Sequence, residues 1–134
     1  MLESMITSVP GSSRYFLGGA VTYCNESKED ILKVPKEVLI KNGAVSEETA
    51  VAMAAGVMGL FGSDVSVSIT GIAGPGGGSA AKPVGLVWIG ISTKNTTFAR
   101  KFNFDGDRET VRTYAAKAAL TLLIETIGTS FTDF

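Results

Sequence analysis

Histidine is absent from this 134-residue sequence, cysteine occurs once, and neither sign of charge dominates, with 12 Lys+Arg against 13 Asp+Glu. Without an imidazole the chain cannot build a Ser-His-Asp triad, a Cys-His pair or an HExxH zinc site. A single Cys24 excludes an internal disulfide and an all-cysteine metal cage, and points to a reducing compartment. The balanced charge shows no basic stripe interleaved with aromatics, so nucleic acid is not an expected partner. Long apolar runs are missing as well. The longest, residues 50–61, falls short of the roughly 20 residues that span a bilayer, so no membrane partner is expected. The start, MLESMITS, has an early Glu3 and no basic region, unlike a signal peptide. The expected protein is soluble and cytoplasmic. Any catalysis must use Ser, Thr, Tyr, Lys, Arg, Asp or Glu, or a bound cofactor.

What is present is globular: 45% of residues are hydrophobic and 19% charged. No linker or repeat divides the chain, which predicts one domain over residues 1–134. Residues 2–8 read as a short helix stopped by Pro10-Gly11. The run YFLGGAVTYC, residues 15–24, is aromatic and β-branched and predicts a strand. Asn25 suits the N-cap of a helix through Leu32, and Pro35 opens another that ends at Gly43. Ser46 caps a better helix whose stripe is Ala50, Met53, Ala54, Val57 and Phe61. Residues 64–72 alternate as a strand, 84–92 are apolar on both faces as a central strand is, and 96–104 read as a peripheral strand. A short turn at Lys94-Asn95 makes the last two a hairpin. Asp107 caps a long helix to Ile127, with Val111, Tyr114, Ala115, Ala118 and Leu122 on its apolar side. The expected fold is α/β, with a mixed sheet between helical layers.

Three features could carry chemistry. In residues 71–78, five of eight positions are glycine: Gly71, Gly74, Gly76, Gly77 and Gly78. Such a loop allows close backbone approach, and its N–H groups can cradle an anion. It lacks the Gly-Lys-Ser/Thr of a Walker loop, and its spacing is not that of a dinucleotide fingerprint. A mobile connection between strands is the plainer reading. Tyr23 and Lys28 straddle a strand-to-helix junction. The positive end of the helix lowers a lysine pKa by less than one unit, about 0.3–1 kcal/mol, so a neutral Lys28 also needs burial, and taken alone a surface lysine is the plainer reading. Arg108 and Arg112 share one face of the last helix and could clamp a phosphate or carboxylate, or simply pair with Asp105 and Glu109. Cys24 reads as a small buried residue.

In order along the chain, SVPGSSRYFLGGAVTYCNESK, GAVSEETAVAMA, SITGIAGPGGGSAAKPVGLVWIGI and FDGDRETVRTYAAKAAL resemble the C-terminal domain of the CinA family, the nicotinamide-nucleotide amidohydrolases. The GIAGPGGG loop with its KPVG continuation is the most specific match. The resemblance implies a three-layer α/β/α domain that hydrolyses the carboxamide of nicotinamide mononucleotide, giving nicotinic acid mononucleotide and ammonia. It implies a serine nucleophile, a lysine base and an assisting tyrosine, with no metal and no cofactor. By position, Tyr23 is the tyrosine and Lys28 the lysine. Thr70 and the glycines that follow line the substrate pocket, and Arg108 or Arg112 meets the nucleotide. The family serine lies in an AESCTGG segment at the end of a first strand, and no such segment occurs in this sequence. Ser4 sits within the predicted first helix and does not match that position, while Ser12 and Ser13 lie on a loop. The resemblance therefore predicts a domain without its first strand, with negligible amidase activity. Backbone and apolar surface left uncovered next to Tyr23 and Thr70 would favour a homo-oligomer.

Overall fold

The computed structural model describes residues 1–131. Helix α1 is Leu2–Thr7, a 3-10 turn follows at Ser12–Arg14, and α2 is Asn25–Leu32. Next come α3 (Lys36–Asn42), α4 (Glu47–Phe61), β1 (Val65–Gly71), β2 (Leu86–Thr93), β3 (Thr97–Asn103) and α5 (Arg108–Phe131). Ser46 accepts from the Thr49 amide and starts α4, while Gly62, in left-handed conformation, ends it. Cys24, not Asn25, is the N-cap of α2, so Lys28 falls one position deeper into the helix than expected.

The three strands pair in the order β1-β2-β3, both pairs antiparallel, with Ile69 opposite Ile89 and Ile89 opposite Arg100. The α/β class and the central place of β2 are as expected. The mixed sheet is not, because the predicted strand at residues 15–24 joins no ladder. Residues 16–23 are extended and alternate between half-buried and exposed as a strand does. None of residues 17–23 makes a backbone–backbone hydrogen bond. Alternation selects an extended backbone, but a strand exists only when a neighbour pairs with it.

Helices cover both faces of the sheet. On one, Val87, Ile89 and Ile91 pack with Val111, Ala115, Ala119 and Leu122 of α5, with Val65, Val67 and Ile69 beside them. Tyr114 was expected on this buried side; it is exposed instead, its ring against Phe104 at the helix flank. On the opposite face β1 presents Ser66, Ser68 and Thr70. Their hydroxyls donate to the carbonyls of Ala54, Ala50 and Ala44 at 2.6, 2.6 and 2.7 Å. Gly90 lets α4 approach, since a Cβ there would meet the Ala50 carbonyl and the Ser68 hydroxyl. A smaller core of Leu32, Val34, Leu39 and Met53 joins α2 and α3 to α4. Among the described residues no helix is long and apolar enough to cross a membrane.

Candidate active site

Lys28 lies in the second turn of α2 and is only 6% exposed. Its Nζ donates to the Thr22 carbonyl at 2.7 Å, so the ammonium is held against the chain that leads into its own helix. Burial pushes the Lys28 pKa below the ordinary lysine value of 10.5, and Cys24 opposes that shift. This supplies the burial that the helix field alone could not. Cys24 itself is exposed, a correction to its expected burial, because its place at the helix entrance turns it outward.

Tyr23 is 86% exposed, and its Oη accepts a long hydrogen bond, 3.4 Å, from Nη2 of Arg108. The same guanidinium donates through Nη1 to the Gly74 carbonyl at 2.9 Å. Asp107 holds Arg108 at the start of α5: its Oδ1 accepts from the Thr110 amide at 2.8 Å, which also keeps the Asp107 carboxyl below its usual range. One arginine thus joins the residue 16–23 segment, the glycine loop and α5. Arg112, one turn on, is exposed and makes no hydrogen bond to the loop.

Gly74 and Gly77 have positive φ values of 86° and 88°, conformations that glycine adopts without strain. A Cβ at Gly74 would strike Val84, one at Gly78 would strike the Val84 amide, and Gly76 faces open space. Gly71 ends β1 against Val87 and the Leu86 carbonyl. Thr70 is turned away from these groups, its hydroxyl committed to the Ala44 carbonyl, so the structure gives it a structural partner.

Tyr23, Arg108 and Gly74 therefore converge, with Lys28 held beside Tyr23 through Thr22. Arg112 and the Thr70 hydroxyl stand apart. Sequence reasoning missed Lys82, whose Nζ donates to the Asn42 carbonyl at 2.6 Å and ties the loop to the end of α3. The KPVG stretch contains it, but a bond across 40 positions leaves no local trace. A cavity of about 440 Å³ opens by this lysine, lined by Lys41, Asn42, Trp88 and Lys101 among others, and includes neither Tyr23 nor Lys28.

A three-stranded antiparallel sheet between helices, with a tyrosine and an arginine meeting at a glycine-rich loop and a buried lysine bonded to the residue before that tyrosine, defines the class of this domain. The chain belongs to the CinA family: the profile of the CinA C-terminal domain matches residues 1–127. It is 51% identical over 122 residues to a CinA-like protein of Endomicrobium trichonymphae, covering 91% of this chain and 28% of that one. A CinA-like protein of Geotalea daltonii is 50% identical over 123 residues, with 92% and 30% covered. The chain thus spans less than a third of the length of these relatives. Among solved structures, the competence/damage inducible protein CihA of Agrobacterium tumefaciens superposes at TM-score 0.89 with 40% identity, covering 92% of this chain and 76% of that one. A CinA superfamily protein of Escherichia coli gives TM-score 0.89 at 34% identity, with 93% and 73% covered.

Proposed function

We propose that this chain carries the nucleotide-binding face of a nicotinamide mononucleotide amidohydrolase without a working nucleophile. The observation that supports the reading most is the burial of Lys28. A lysine with depressed pKa is closer to the neutral form that can act as a base near neutral pH. At Tyr23, whose Oη it meets, the Arg108 guanidinium offers donors to a phosphate, and the amides around Gly76 and Gly77 offer more. Tyr23 is placed to hydrogen-bond a carboxamide entering from solvent.

Among the described residues no serine hydrogen-bonds Lys28, whose Nζ donates to the Thr22 carbonyl, and this supports the inactive reading. Losing the nucleophile from a cooperating catalytic unit costs about 10⁶-fold in rate. The expected outcome is saturable binding of nicotinamide mononucleotide by calorimetry, at least tenfold weaker in Arg108→Ala, with no ammonia released above background. Steady ammonia release by the 134-residue chain would overturn the inactive reading. Absence of binding would overturn the nucleotide reading. An alternative reading, an interaction module of the same fold, is favoured by the uncovered apolar side chains of residues 17–23.

A further inference from the structure

The cavity beside Lys82 gathers groups that the Tyr23 site does not use. Val87, Ile89 and Ile91 pack toward α5, so Trp88, between them in β2, points to the α4 face. Lys101 stands opposite Trp88 in β3 and shares that face. Both line the cavity of about 440 Å³, with Lys41 from the end of α3 and Lys82 from the glycine loop's continuation. Such a volume is in the range of small-ligand sites. The three ammonium groups have no carboxylate within ion-pair distance among the described residues. Lys82 is the anchored one. Its Nζ bonds the Asn42 carbonyl, and Gly43, at φ 80°, leaves it room, since a Cβ there would lie 2.9 Å from that nitrogen. A lysine ammonium carries three donors, so two remain for a ligand. Trp88 is half-buried and its indole N–H makes no hydrogen bond among the described residues, yet it is not sealed from solvent.

From this we infer that the cavity binds a purine nucleoside monophosphate, at a site separate from Tyr23 and Arg108. The base stacks on Trp88, a contact that strengthens binding by roughly tenfold, and a purine covers more of the indole than a smaller ring. Lys82, with Lys41 and Lys101, takes the phosphate as a set of point charges. Glu47 and Glu48, in the first turn of α4, line the same cavity and accept the ribose hydroxyls, as acidic residues do in dinucleotide-binding folds. Three ammonium groups against two carboxylates suit one phosphate better than a polyphosphate chain. An acidic peptide would meet the lysines, but it gains nothing from the ring of Trp88 and is repelled by the two glutamates. The inference does not depend on the amidohydrolase reading, because neither Tyr23, Lys28 nor Arg108 lines this cavity.

The test follows the fluorescence of Trp88, the only tryptophan in the sequence, while the 134-residue chain is titrated with adenosine monophosphate. Saturable quenching is expected. Adenosine should bind at least tenfold more weakly, adenosine triphosphate no more tightly, and inorganic phosphate should cause no quenching. Lys41→Gln combined with Lys101→Gln, both exposed positions, should weaken binding at least tenfold and leave the urea midpoint unchanged. Arg108→Ala should leave the quenching as it is, whatever it does to nicotinamide mononucleotide. The proposal is overturned if adenosine monophosphate does not quench, if removing the phosphate makes no difference, or if the folded double variant binds as tightly as the parent chain. Loss of quenching in Arg108→Ala would place the nucleotide at Tyr23 and overturn it too. So would equal quenching by an oligoglutamate peptide, which would make the lysines a surface for acidic chains.

Discussion

Lys28 shows how one side chain can depend on three levels of structure. Its place in α2 and its bond to the Thr22 carbonyl fix where it sits, and burial lowers its pKa against the opposing effect of Cys24. The folded value lies below the unfolded value of 10.5, so the native state binds fewer protons than the unfolded state in between. Stability therefore rises with pH through the window that ends at 10.5. Lys28→Met, which keeps the apolar stem and removes the charge, should abolish this component. Urea midpoints of both proteins from neutral pH to pH 10.5 give the check: the difference between them should favour the variant at neutral pH and shrink as pH rises. Tyr23 and Lys28 were legible as a pair from their matched motif, but the burial of Lys28 was not, because burial is set by tertiary packing that local sequence does not show. Cys24 was misjudged for the complementary reason: composition favours burial of a lone cysteine, and its position at a helix entrance overrides that. It should react with a thiol reagent in the native chain nearly as fast as in urea, read by absorbance.

Elements with local punctuation were read correctly, apart from the α2 cap, which is Cys24 and not Asn25. Ser46 caps α4, Asp107 starts α5, and the alternation in residues 64–72 tells which face of β1 is hydroxylated. Residues 15–24 were not, since pairing is a property of two segments and alternation reports on one alone. Asp107 offers a test at this scale. Its folded pKa lies below the unfolded 3.8, so the cap contributes above that value and fades as pH falls through the depressed one. Asp107→Ala should thus lower the thermal midpoint at pH 7 and leave it unchanged at the acid end. At the contact of α4 with the sheet, Ser68→Ala removes one buried hydrogen bond, worth about 1 kcal/mol. Gly90→Ala forces a methyl onto the Ala50 carbonyl and the Ser68 hydroxyl and should cost more, toward about 3 kcal/mol. Chemical denaturation of the two variants should preserve that order.

For the whole molecule, the layer arrangement was legible from the alternation of helices and strands, and the β2–β3 hairpin from its short turn, whereas the all-antiparallel sheet of three strands was not. Stability should accordingly be uneven. Amides of Ile89 and Ile91 in the central strand should exchange only on global unfolding, and those of residues 17–23 within the dead time of a manual experiment. Equal protection of both would contradict the pairing described above. The hydroxyl contacts between β1 and α4 carry a further consequence. Two steps along a strand advance about 6.6 Å, and four along a helix about 6 Å. Ser66 and Ser68 take such a two-residue step while their acceptors, Ala54 and Ala50, take the four-residue one in the opposite sense. Strand and helix are thus nearly commensurate, meshed like two combs whose teeth coincide only at one setting. Slippage by a single residue would turn the hydroxyls to the wrong face and the valines onto the helix. The mesh acts as an axial ruler, carrying the end of β1, where the glycine loop begins, to a fixed height against the end of α3 where Lys82 is tied down.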